Sequence, residues 1–152
     1  SVKSRGLGDV YKRQVKSCGG KPGDSRAVDE EYRKRSPVHY LRNAKGRVRL
    51  QIATGITDGH SGSVPISHSL LAFNEVADSK DRIGLKEIAF MTQEARLPDV
   101  FERAAPDPSF GDKQPVFHRS SATAAVTIFD GGHEIIPSAA IAWVEGLYAE
   151  RK

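Results

Sequence analysis

Apolar positions along the chain follow two rhythms that alternate with each other. "VRLQIAT", Val48 to Thr54, alternates and then runs apolar between Gly46 and Gly55, the pattern of a buried strand. After a polar, glycine-rich stretch, Ile66, Leu70, Phe73, Asn74 and Ala77 recur on one helical face, with Leu71 and Val76 beside it and Pro65 near the start. "LKEIAFMTQ" reads as a second short helix, and "LPDVFERAAPDPSFGDKQP" has no period. "VFHRSSATAAVTIF" reads as two strands around a small polar turn, a hairpin ending at Phe129. A last helix opens at Pro137, where a residue without an N–H costs nothing. Its apolar stripe is Ile136, Ala140, Ile141, Val144, Leu147 and Tyr148, with Trp143 alongside.

Upstream of Val48 the pattern is poorer. Residues 15–29 are rich in Gly, Pro, Ser and charge and read as loop, and "EEYRKRSPVHYLRNAKGR" is a helical or turn segment broken at Pro37. The order from Val48 onward is strand, loop, helix, excursion, strand, loop, helix. That order predicts an α/β fold on a mostly parallel sheet. No repeat and no low-complexity segment interrupts it.

Composition changes this picture in three places. No run of about 18 apolar residues exists, so no membrane span is expected. A lone cysteine, Cys18, excludes an internal disulfide. The formal net charge of +4 invites a nucleic-acid partner, but residues 1–14 carry +3 of it, and without them the chain is at +1. Within that segment "DVYKRQ", Asp9 to Gln14, resembles the in-frame translation of a transposon adapter used to build sequencing libraries (GAT-GTG-TAT-AAG-AGA-CAG). Residues 1–14 are therefore expected to be a non-native tail outside the fold. Residues 15–152 are expected to be the C-terminal part of a longer protein, with no nucleic-acid partner.

The candidate chemistry lies in two loops. In open α/β sheets functional groups sit beyond the carboxyl ends of the strands. After the first strand comes Gly55-Ile56-Thr57-Asp58, and after the hairpin comes Asp130-Gly131-Gly132-His133. An acid on one strand end and a histidine on a later one is the order of the Ser…Asp…His triad, with the serine upstream.

Three motifs in this order, "YRKRSP", "GITD…VPISHS" and "FDGGHEIIP", resemble the C-terminal half of the α/β-hydrolase domain of the prolyl oligopeptidase family and related esterases. The resemblance implies a partial, N-terminally truncated α/β-hydrolase fold over roughly the last 135 residues. It implies Asp58 as triad acid and His133 as base, a peptide or ester substrate in the full-length parent, and no cofactor. The Asp58 loop is longer before Val64 than in the common form of the motif. The nucleophilic serine would lie outside the chain, leaving a serine-hydrolase fragment without activity of its own. If so, the two loops lie side by side at one end of the sheet, and an Asp58 oxygen comes within about 2.6–3.2 Å of a His133 ring nitrogen.

Other readings keep their place. Gly59-His60-Ser61-Gly62-Ser63 falls one residue short of G-x-S-x-G, so a small stand-alone hydrolase using Ser61 is one alternative. Against it, the strand ends well before Gly59, Pro65 delays the helix, and Ser63 carries a Cβ where the tight turn favours none. A binding module that kept the fold and lost its chemistry is another. No metal is expected, because Pro137 stands where an H-E-x-x-H site needs its second histidine. Cys18 lacks a helix N-terminus to activate it. His39, His60, His68 and His118 read as surface or structural residues. The edge of a sheet lacking its neighbours is expected to be apolar and to favour self-association.

Overall fold

The computed structural model describes residues 5–61 and 64–149, with only the backbone path given for residues 5–11. By internal packing the chain divides into two units, residues 1–43 and 44–152. The first is helical: α1 spans Arg5–Cys18, α2 Arg26–Arg35 and α3 Val38–Leu41. One sequence expectation is corrected here. The stretch 15–29 is not one loop, because α1 runs on to Cys18 and α2 begins at Arg26. The same helix runs across residue 14, where the expected non-native tail ends; residues 1–4 lie outside those described. From Asp9 to Cys18 there is neither glycine nor proline to interrupt the helix, and α1 packs against α2, with Cys18 buried. Ser25 caps α2 by accepting from Val28 N at 3.2 Å, and Pro37 forces the break before α3.

The second unit is of α/β class, with a three-stranded mixed sheet in the order β1-β3-β2: β1 is Leu50–Gly55, β2 Pro115–Ser121 and β3 Ala124–Phe129. β1 runs parallel to β3, from Leu50 opposite Ala124 to Gly55 opposite Phe129. β2 is antiparallel to β3, and its first residue is Pro115, a position where a missing N–H is tolerated on an outer strand. The hairpin closes through Ala122, which adopts φ +49°.

Between β1 and β2 lie α4 (Ile66–Val76) and α5 (Leu85–Glu94). α4 packs on β1 and β3 and against α5. Ile66, Leu70, Phe73 and Val76 of α4, Ile83, Ile88 and Met91 around α5, and Val126, Ile128 and Phe129 of β3 form the core. Asn74 ties the two helices by a paired contact, donating to Ile83 O and accepting from Ile83 N, each at 2.8 Å. Because β3 is central, five of its six residues are buried, whereas β1 alternates only weakly.

α6 is Pro137–Ala149, opening at the proline as its sequence dictates. Its apolar stripe, which the pattern assigns to a core, is not buried: Ile141 is 58 % exposed, Val144 43 % and Tyr148 66 %. Periodicity reports that a helix has an apolar face, not that a partner is present. α6 meets the turn at Pro108–Phe110 and borders a cleft of about 960 Å³ whose opposite wall includes Gln51, Ala53 and Thr127. No described helix is long and apolar enough to cross a membrane.

Candidate active site

The site is assembled by the parallel pairing of β1 with β3. Because Gly55 stands opposite Phe129, the segments leaving both strands emerge at the same end of the sheet and side by side. Three bonds then stitch them together: Ile56 N donates to Phe129 O at 2.9 Å, Thr57 N to Gly131 O at 3.0 Å, and the Thr57 hydroxyl to the same Gly131 oxygen at 2.9 Å. Glycine is required at position 55 by this approach. A Cβ there would overlap the carbonyl groups of Gly131 and Gly132.

Asp58 follows three residues after β1, in a turn closed by Asp58 N donating to Gly55 O at 3.1 Å. Its own carbonyl accepts from Ile66 N, the first N–H of α4, at 3.3 Å, so strand, acid and helix are linked through one residue. Gly59, with φ +90°, turns the chain back immediately afterwards.

His133 follows β3 by four residues. Its Nδ1 lies 3.1 Å from Asp58 Oδ1 and 3.3 Å from Oδ2. The structure thus brings together the two residues singled out in separate parts of the sequence, 75 positions apart. Their environments differ sharply: the Asp58 side chain is 8 % exposed and that of His133 54 %. With the carboxylate ionised it can only accept, so Nδ1 donates to it, and in the neutral ring Nε2 then keeps its lone pair. Among the described residues no side chain bonds Nε2. An imidazole held by one nitrogen on a buried carboxylate, with the other basic and open, can take a proton from a hydroxyl brought to it. It can return that proton to a leaving group.

Ser61 sits in the same loop and beside Gly132, against which its hydroxyl packs. That hydroxyl is 3.0 Å from Thr57 Oγ1 and donates to Thr57 O at 3.2 Å, so it is engaged within its own turn and not by His133. Gly62 and Ser63, the rest of the near-match to G-x-S-x-G, lie outside the described residues. His60 Nε2 contacts Thr92 O at 2.9 Å and anchors the loop to α5. Cys18 is buried at the C-terminal end of α1, not at the helix N-terminus that would activate a thiol.

His118 is elsewhere, on β2, with Nδ1 2.9 Å from Thr127 Oγ1 and Nε2 3.0 Å from Ser120 Oγ. Desolvation at the sheet holds it below the usual histidine value, outweighing the opposing pull of Asp107. Among the described residues, no group of three His, Cys, Asp or Glu side chains converges as a metal site would require.

Two residues of the candidate site had no signal of their own in the sequence. Thr54 ends an apolar strand, and its hydroxyl donates to Asp58 Oδ2 at 3.3 Å within the buried part of the site. Thr57 was only part of a turn pattern, yet it holds the two loops together. Both become visible once the acid is placed, because a buried carboxylate needs donors within reach. Comparison with known proteins found no matching family model, no matching curated protein and no matching solved structure.

Proposed function

We propose that this chain supplies the acid and the base of a serine-hydrolase triad on a partial α/β-hydrolase fold, Asp58 orienting His133. The observation that carries the reading is the 3.1 Å contact between a buried carboxylate and a half-exposed imidazole, at the carboxyl end of two parallel strands. The serine is assigned to another segment of polypeptide, because Ser61, in the same loop as Asp58, is bonded to Thr57. The reaction is acyl transfer to water through an acyl-serine. His133 Nε2 takes the serine proton on attack and delivers it to the leaving amine or alcohol. Asp58 stays ionised and stabilises the imidazolium formed in between. The substrate is a peptide or an ester, and no cofactor takes part in this chemistry.

Labelling with a fluorophosphonate, which reacts covalently with activated serines, tests the reading. The chain by itself is expected to remain unlabelled and to hydrolyse a p-nitrophenyl ester no faster than its His133→Ala variant. A longer protein, read from DNA extended upstream of Val15, is expected to be labelled at one serine. Asp58→Asn and His133→Ala should then each abolish that labelling. Labelling of Ser61 in the chain alone would select the stand-alone hydrolase instead. A longer protein with no labelled serine would select the binding module.

A further inference from the structure

The triad reading names an acid and a base but leaves open what holds the acid. Asp58 is buried, and a carboxylate free to rotate about its χ2 angle would present either oxygen, or neither, to His133. Among the described residues two groups meet its oxygens: the His133 imidazole, and the hydroxyl of Thr54 on Oδ2 at 3.3 Å. We propose that Thr54 is a positioning residue, its hydroxyl holding Oδ2 of Asp58 and so fixing the orientation of the carboxylate against which the Nδ1–H of His133 rests, 3.1 Å from Oδ1 and 3.3 Å from Oδ2. This rests on the reading of Asp58 and His133 as a functional pair.

The case is built from the strand. Thr54 is the fifth residue of β1 and is 3 % exposed. Gln51 and Ala53 line the open cleft, so by alternation Leu50, Ile52 and Thr54 face the other way, toward the layer that holds α4. A hydroxyl on that face is desolvated on folding, a cost that a valine of nearly the same shape would avoid. The spacing also matters. The Gly55–Asp58 turn reverses the chain, so the side chain at 58 comes back over the one at 54, four residues earlier. The hydroxyl therefore meets the carboxylate inside one short strand-turn segment of five residues, Thr54 to Asp58. Thr57 plays a different part, fixing the backbone that carries His133 through Gly131. One threonine places the loop and the other orients the acid.

The purified chain, which holds both members of the pair, is sufficient for the test. Imidazole ¹⁵N spectra near neutral pH report the His133 tautomer, and the exchange rate of its Nδ1 proton reports how firmly it is held. The wild type is expected to show the Nδ1–H tautomer with a slowly exchanging proton. In Thr54→Val the exchange should be about tenfold faster, the loss of one hydrogen bond to a charged acceptor, with the Nε2–H tautomer now populated. Thr54→Ser should restore the wild-type spectrum. Exchange within twofold of wild type in a folded Thr54→Val overturns the proposal. Should Thr54→Val fail to fold, Thr54→Ser decides: loss of the signature there shows that the methyl group, not the hydroxyl, holds the pair. If the wild type itself lacks the Nδ1–H tautomer, the Asp58–His133 reading fails first, and that outcome is distinct from the others.

Discussion

Single residues carry this site in ways that can be separated by substitution. Gly55 is present because the two loops approach too closely for a side chain. Gly55→Ala should cost about 1–3 kcal/mol through forced separation of the backbones, read from the denaturant midpoint. The same variant should lose the Nδ1–H signature of His133, since the Gly131 carbonyl is what Thr57 grips. A Gly55→Ala variant with both properties intact would show that the loops can part without consequence. Ser61→Ala is the counterpart. Ser61 is exposed and, among the described residues, its hydroxyl bonds within its own turn, so stability should stay within about 0.5 kcal/mol and the His133 spectrum should not move. A shifted His133 spectrum would bring Ser61 back into the site.

At the scale of elements, the supports are the contacts that set α4, α5 and the hairpin. Asn74 satisfies both main-chain groups of Ile83 beneath the α4–α5 pair. Its replacement by alanine leaves those groups without partners and should cost about 1–3 kcal/mol in chemical denaturation, whereas an unchanged midpoint would mean water replaces the side chain. The hairpin offers the opposite sign. Ala122 is held at φ +49°, a region that costs an L-residue roughly 1–2 kcal/mol, while glycine there loses about 0.4–1 kcal/mol more chain entropy on folding. Ala122→Gly is therefore expected to raise the melting temperature, and a decrease would show that the methyl group packs.

For the whole molecule, two properties follow from what is left uncovered and from what is titratable. Among the described residues β1 pairs on one side only, and α6 shows Ile141, Val144 and Tyr148 to solvent beside an open cleft. An unpaired strand edge with apolar surface nearby favours association. Sedimentation of the purified chain should show a mass that rises with concentration; a monomer throughout would show that edge and helix are protected. The pH dependence comes from His118, whose desolvation lowers its value in the folded state. The unfolded chain then binds the proton more readily, so stability contributed by neutral His118 is present above about pH 6.5. It is lost as pH falls toward the lower folded value, and is flat below it. The difference between wild type and His118→Gln in denaturation midpoint, followed from pH 8 to pH 5, should show that decline; a constant difference would remove His118 as the cause.

Local pattern determined most of the elements. The strand read at Val48–Thr54 and formed at Leu50–Gly55, the helix after Pro65, the hairpin ending at Phe129 and the helix from Pro137 are set by alternation, helical spacing and proline, all of which act over a few residues. The order of an acid loop and a histidine loop could be read for the same reason, since each lies just after a strand. Only the tertiary structure decided that Gly55 and Phe129 are partners in a parallel pair, which is what places Asp58 and His133 in contact across 75 positions. It alone decided that Thr54 reaches Asp58, because that depends on how a turn folds back. It also decided that the stripe of α6 stays exposed. A periodic pattern describes one element's own face, whereas burial, distance and pairing belong to two elements at once, and no window along a single segment contains the second.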